Sequence, residues 1–501
     1  MPVPKVMGIE TEYGITIKGP KERDQVTAST LVINCYRDKE RGKVLWDYDQ
    51  ESPTTDARGF TTDEVVQQPD EESNRVINDI LVNGGRYYVD HAHPEYCTPE
   101  CANARELVKY DKAGEHILNI SRKLAEEFLA DGTRIIIHKN NSDRKGHSYG
   151  CHENYLMDRS IDFQDIIDGL TPFLVTRQIF TGSGKVGYEN NTDPAVYQIS
   201  QRADFFESEV GLSTMVDRPI INTRDEPHAD EKRFRRLHVI VGDANMSEFT
   251  TYLKVGTTAI VLTLIELGVV KDKFKLLNPV KAIKDVSRDL TCKRKLKLMD
   301  GRELSPIEIQ WEYLELAHKH LQPLTDPIAK DVLRKWEFVL ERLEEDPMSL
   351  DRYIDWVIKK RLIEAYMERF KLDWSDHRIT MIDLQYHDVN PEKGLYYKLL
   401  ENGQVERILR PGEEIEAITE PPEDTRAYFR GMCLKKYPDQ IHSVSWNSIV
   451  FDLDESSPLN KIYMQDPCKG TKELVGELLE SCKTADELVK FFDELSGATG
   501  G

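Results

Sequence analysis

The densest chemistry in the chain is the run YYVDHAHPEYCTPEC, residues 87–101, which holds one Asp, two His, two Glu, two Cys and three Tyr. Such a set is open to a zinc site, to a catalytic carboxylate with metal ligands, or to a polar loop with no chemistry. Zinc would draw on His91, His93, Cys97 and Cys101. Only three residues, one of them Pro99, separate the two cysteines, and the set does not repeat the framework of the common structural zinc sites. Read as a strand, residues 85–92 alternate, so Arg86, Tyr88 and Asp90 share a face and Glu95 follows just past Pro94.

An acid and a phenol on one strand face are most often a solvated surface. A second segment changes the balance. KVMGIETEYGITIK, residues 5–18, is rich in Ile, Tyr and Thr, reads as a strand, and puts Glu10 and Glu12 on one face among apolar neighbours. Carboxylates on several strands of one sheet repel unless cations neutralise them, and hard oxygen ligands suit magnesium. A magnesium site in turn asks for an anion, usually phosphate. TGSGK at 181–185 fails the Walker pattern, because Ile179 and Val186 stand where Gly and Ser/Thr are needed, and reads as a turn. The other phosphate candidates are Arg202, Arg224 and Arg236; Arg236 shares a strand face with His238. A lone histidine such as His152 is more often a satisfied core residue than a ligand. Cys151 beside it points to the opposite face, which disfavours a Cys–His nucleophile. No nucleophile elbow and no HExxH is present.

Several elements must position these residues. Helical spacing predicts a helix over ELVKYDKAGEHILNISRKLAEEFLADG, ending at Gly132, and a long apolar helix after a Ser247 cap. TRIIIHKNN, SYGCHENYLM and FRRLHVIVGDAN read as strands, and residues 305–370 as mostly helical. Residues 41–80 are acidic, contain prolines and lack periodicity, so they read as a long mobile loop inserted in a domain. ITEPPEDTRA marks a boundary between a domain over 1–425 and a small C-terminal α/β unit over 426–501, with a strand SVSWNSIVFDL and a helix TKELVGELLESC.

With 501 residues and 39% hydrophobic content the chain can build a substantial core. A net charge of -21 argues against nucleic acid as the main partner, although a local basic groove is compatible with it. The longest apolar run, TTAIVLTLIELGVV, contains Glu266, and no signal peptide is visible, so a soluble cytoplasmic protein with no membrane contact is expected. The eight scattered cysteines are expected to be reduced.

GIETEYG, NGGRYYVDHAHPEY, KNN, SYGCHENYL, PFLVTRQ, RPIINTRDEPHAD and RRLHVIVGDANMSE, in this order, resemble the family of Pup ligases and Pup deamidases/depupylases. The inserted segment WDYDQESPTTDARGF, the HAH of VDHAHPEY, DTRAYFRG and WNSIVFDL resemble the depupylase branch. The resemblance implies an α+β, glutamine synthetase-like fold, an antiparallel sheet packed on helices. It implies a catalytic role for Asp90, magnesium contacts from Glu10, Tyr88 and Glu95, and nucleotide contacts from Arg86, Thr98 and Trp446. Glu12, His152 and His238 are added as metal candidates and Arg236 as a phosphate candidate on the habit of the wider fold; Arg202 and Arg224 stay phosphate candidates on their own residues. The expected cofactors are ATP, or ADP plus phosphate, and Mg2+. The expected partners are Pup and pupylated proteins, and a monomer is the expected state. The expected reaction is hydrolysis of the side-chain amide or isopeptide bond at the C-terminal Gln/Glu of Pup, against the alternative of a ligase forming that bond.

Overall fold

The computed structural model describes residues 2–36, 44–63, 67–322, 324–454 and 458–498. A six-stranded antiparallel sheet organises it. Its strands, numbered along the chain, are β1 (Met7–Glu12), β2 (Asn78–Ile80), β3 (Arg86–Asp90), β4 (His93–Cys97), β5 (Cys151–Asp158) and β6 (Phe234–Val239), in the spatial order β6-β5-β1-β4-β3-β2. The segment expected as one strand over 5–18 breaks at Tyr13; Gly14–Lys18 leaves the sheet and pairs with Arg134–His138 instead.

Alternation sorts the two faces. Tyr87 and Tyr96 pair in register on the back of the sheet, in an apolar cluster with Ile117 and Leu118. Those two come from helix α1 (Ala104–Leu129), which starts where the Asn103 side chain accepts the Glu106 N–H at 3.0 Å. The helix comes so close that a Cβ on Gly114 would lie 2.3 Å from the Tyr96 ring, so only glycine fits there. The back of β5 is fixed by charge. Glu153 takes a two-pronged bond from Arg177, at 2.9 and 2.5 Å, and both side chains are fully buried. Arg177 sits on helix α2 (Phe163–Thr181), and helix α3 (Glu248–Glu266), capped by Ser247 as expected, packs beside it. The expected antiparallel sheet on helices is therefore present, with its front face left to polar residues.

SVSWNSIVFDL, expected as one strand, is a hairpin of Ile441–Val444 and Ser448–Phe451. It belongs to a second sheet with Asn460–Tyr463 and, in parallel, with Leu45–Trp46. Part of the segment expected as a loop is thus regular: Thr55–Asp56 pairs with Phe60–Thr61, and a helix runs over Glu71–Ile77. Residues 37–43 and 64–66 of that region, and 499–501 of the tail, lie outside the described residues. A separate apolar core joins Trp46, Ile80 and Val82 to Phe429, Val444, Phe451 and Leu488, so the C-terminal unit closes around residues from the N-terminal part of the chain. Glu100 bolts the two together through Arg426, at 2.7 Å, and Arg430. No described helix is long and apolar enough to cross a membrane.

Candidate active site

The front of the sheet is built in registered rows. Glu12 on β1 stands opposite Glu95 on β4, and Glu95 opposite Tyr88 on β3. Glu10 stands opposite His152 on one side and Cys97 on the other. Asn154 on β5 faces His238 on β6, and Asp90 ends β3 opposite His93. Directly opposed residues in an antiparallel pair share a face, so alternation on five strands collects these groups on one surface.

Two clusters result, each with three ligand atoms within 4.8 Å of one another: Glu10 with His152 and His238, and Glu12 with Asp90 and Glu95. In the first, the Asn154 amide donates to Glu10 Oε1 at 2.8 Å, so its oxygen faces Arg236, at 2.7 Å, and His238 Nδ1, at 3.1 Å. That oxygen can only accept, so His238 donates to it when its proton is on Nδ1; Arg236 Nη1 lies 3.3 Å from the same nitrogen. In that tautomer the His238 Nε2, buried and without a hydrogen-bond partner, is left with a free lone pair. Burial pushes the Glu10 carboxyl up, but the His152 hydrogen bond and the positive charge of Arg236 outweigh it and hold the group well below the usual carboxylate range. In the second cluster burial raises Glu95 far above that range, and the charges of Asp90, Glu12 and Glu10 add to the effect. Glu12 is held low against burial by His93, 3.4 Å away, by His152 and by the Gly150 N–H. A Cβ on Gly150 would lie 2.2 Å from His152 Nε2, so a larger residue there would displace that imidazole.

Both sets fit a divalent cation. A cation would use the unpartnered His238 Nε2 and would relieve the repulsion around Glu95. The all-carboxylate set has the hard oxygen chemistry of Mg2+; the Glu/His/His set is softer and also suits Mn2+ or Zn2+.

Two cavities meet at Glu10. An inner pocket of about 80 Å3 is lined by Gly8, Glu10, Thr98, Arg236, Arg426 and Trp446, among others. An outer cleft of about 1050 Å3 holds Glu12, Tyr88, Asp90, Glu95 and His152. Thr98, Trp446 and Arg236 therefore gather at one place, and Arg202 and Arg224 at another, in the outer cleft. The Arg202 guanidinium is taken up by the Ile240 carbonyl and by Ser148 Oγ at 3.3 Å, and burial pulls it down to about 10. Arg224 stands 3.8 Å from Glu226, with its buried Nε unpartnered. Arg86 lines neither cavity. It is stacked between Trp46, at 4.1 Å, and Tyr88, at 3.9 Å, and hydrogen-bonded to Asn78 and Tyr48. It supports Tyr88 from behind.

Sequence reasoning missed Asn154, which alternation from His152 places on the same face, and Glu226, which accepts from Arg236 Nη2 at 2.9 Å. It also read the metal candidates as one set, whereas the structure groups Glu10 with His152 and His238, and Glu12 with Asp90 and Glu95. The zinc alternative finds no support, since neither cluster includes Cys97 or Cys101 and both cysteines are buried and free. TGSGK runs from the last residue of a buried helix, Thr181, to the strand Lys185–Val186, and Lys185 is paired with Glu189 and Asp204.

The family described as Pup-ligase protein matches residues 5–450. A depupylase from Acidothermus cellulolyticus is 48% identical over 495 residues, 97% of this chain and 98% of that protein. Among solved structures, the complex of the prokaryotic ubiquitin-like protein Pup with its ligase PafA is 33% identical with a TM-score of 0.80, covering 99% of this chain and 95% of that one. The structure of PafA with ADP is 35% identical with a TM-score of 0.73, covering 84% and 95%.

Proposed function

The chain belongs to the Pup-ligase family, and we propose that it is a depupylase and Pup deamidase. It hydrolyses the side-chain amide or isopeptide bond at the C-terminal Gln or Glu of Pup, with Mg-ATP, or ADP plus phosphate, held as a cofactor. The observation that carries this reading is the likeness, at 44–48% identity over 97% of this chain, to proteins named depupylase or Pup deamidase/depupylase, against 40–45% to Pup–protein ligases, two of which match only 81% of it. The ADP in one of those ligase structures and the Pup in the other support nucleotide and Pup as ligands of the corresponding surfaces here.

In the proposed site Glu10, His152 and His238 would hold one cation, and Glu12, Glu95 and Tyr88 would line the approach to another. Thr98, Trp446 and Arg236 face the nucleotide in the inner pocket, and Arg202 and Arg224 line the outer cleft. A bound divalent cation supplies charge that stabilises the oxyanion of the attacked carbonyl. Asp90 is the reacting carboxylate. It hydrogen-bonds His91 Nδ1 at 3.0 Å and is one-third exposed, so it is reachable from the cleft. It attacks the carbonyl carbon itself or takes the proton of a water that does. Either route adds the elements of water: oxygen goes to the glutamyl carbon, the C–N bond breaks, and the departing nitrogen gains a proton and leaves as ammonia or lysine amine. The basic groups of the cleft, Arg144, Lys145, Arg218 and Arg224, suit an acidic partner despite the net charge of -21. Insertion residues dock beside the site, with the Ser52 N–H donating to Glu226 at 2.6 Å. A monomer working in the cytoplasm, where the free cysteines stay reduced, completes the reading.

The test follows ATP and bond together. A purified Pup–protein conjugate is mixed with the enzyme and nucleotide. Release of the target with much less than one ATP consumed per bond is expected. ATP-dependent joining of Pup to a lysine, one ATP per bond, would establish a ligase instead.

A further inference from the structure

One wall of the outer cleft is apolar and bare. Met215 and Val216 are 60% and 74% exposed, yet both line the same cavity as Asp90 and Glu95. They sit on the connection between Ser208–Gly211 and Pro219–Asn222, two strands paired in parallel. The connection is held in place from its base. Arg218 Nε donates to the Thr214 carbonyl at 2.7 Å, across the loop, and Arg218 Nη2 to the Ser148 carbonyl at 2.8 Å, on the segment that leads to Gly150 and His152. Arg218 is also within the field of Glu12. The loop is thus braced against the carboxylate site and presents two apolar side chains to the space in front of it. Most of the rest of that lining is polar or charged, including Asp90, His91, His93, Arg144 and Lys145, with Ile15, Ala92 and Leu384 as further apolar members.

This inference rests on the reading above and deepens it. The two substrates differ only in what leaves. A primary amide releases ammonia, which needs no apolar contact. An isopeptide releases a lysine, whose nitrogen carries a stem of four methylenes. We propose that Met215 and Val216 receive that stem, so that the 212–217 loop determines specificity for the isopeptide over the primary amide. Apolar contact of this kind, made to the leaving side alone, favours one substrate without touching the other. In a closed pocket one methylene is worth about ten-fold or more in kcat/KM; on an open wall about ten-fold is expected for the whole stem.

The experiment compares wild type with Met215→Ser/Val216→Ser and with the conservative Met215→Leu/Val216→Ile. Each is assayed on a Pup–protein conjugate, on Pup ending in Gln, and on Pup whose terminal side-chain amide carries a methyl or a butyl group. The serine variant should lose about ten-fold on the conjugate, mostly through KM, and keep its deamidation rate, which also reports that it is folded. Wild type should prefer the butyl to the methyl amide, the serine variant should not, and the conservative variant should behave as wild type. Unchanged rates on all substrates, or equal losses on the conjugate and the primary amide, overturn the assignment while leaving the hydrolase intact. A wild type that cleaves no substrate at all refutes the hydrolase reading and this one with it.

Discussion

Asn154 donates to Glu10 Oε1 at 2.8 Å and, through its own oxygen, accepts hydrogen bonds from Arg236 and His238. One amide therefore orients a carboxylate, an arginine and a histidine tautomer at the place where the two cavities meet. Asn154→Ala would free all three. Removing such a supporting partner typically costs 10–100-fold in metal affinity. The expected result is a 10–100-fold rise in the Mg2+ concentration for half-maximal activity with little change in fold, read by titrating Mg2+ at saturating ATP. An unchanged requirement would separate Glu10 from metal binding.

Glu95 is buried, and burial with the like charges of Asp90, Glu12 and Glu10 makes it keep its proton far above the usual carboxylate range. Replacing it by Gln removes the cost of keeping that proton in the metal-free protein and a ligand in the loaded one. In EDTA the Glu95→Gln variant should melt higher than wild type, by about 1–2 °C for a chain this long. In Mg2+ wild type should gain stability and the variant much less, with activity lost. A variant that melts lower in EDTA and still responds fully to Mg2+ would show that no cation sits there.

The Glu100 bridge to Arg426 and Arg430 gives a pH dependence with a fixed sign. Burial raises the Glu100 carboxyl, but Arg430 and Arg426 outweigh it and bring it down to about 2. An unfolded glutamate titrates near 4.3. The unfolded chain then binds the proton first as pH falls, so the bridge stabilises fully above about pH 5 and its contribution is lost between about pH 4 and 2. The size is about 3 kcal/mol at neutral pH. Denaturant unfolding of Glu100→Gln at pH 7 should show a loss of about that size, and its stability should fall less steeply than that of wild type below pH 4. Equal acid sensitivity would place the titrating group elsewhere.

Trp446 meets Trp46 edge to face at 5.3 Å and lines the inner pocket with Thr98. Filling that pocket with ADP or ATP should change tryptophan fluorescence. Trp446→Ala should weaken nucleotide binding about ten-fold, as lost aromatic contact of roughly 1–1.5 kcal/mol implies. Equal affinity in the variant would move the nucleotide out of this pocket.

What was legible in the sequence was what is local. Alternation within β1, β3 and β6 correctly put Glu10 with Glu12, Tyr88 with Asp90, and Arg236 with His238. Register is not local: nothing in either strand says that Glu12 faces Glu95 while Glu10 faces His152, so two clusters read as one metal set. Arg86 shares a face with Tyr88, as alternation required, but its burial between Trp46 and Tyr88 depends on a strand from the segment read as a loop. That strand is two residues long and parallel, too short for any periodicity. The 441–451 hairpin was missed because its turn, Ser445–Trp446–Asn447, lacks the glycine that announces most tight turns. The proposed roles of Asp90 and Trp446 come from the family resemblance; face assignment alone does not reach them.

The central claim is that Asp90, at the end of β3 and within reach of Glu12 and Glu95, carries out hydrolysis of an amide carbonyl. The most direct measurement is the rate of target release from a Pup–protein conjugate by wild type and Asp90→Asn, each saturated with ATP and Mg2+ and each shown by fluorescence to bind nucleotide. The account predicts release by wild type and a loss of at least about 10³-fold in the variant, with nucleotide binding retained. Cleavage by Asp90→Asn at near the wild-type rate would contradict it.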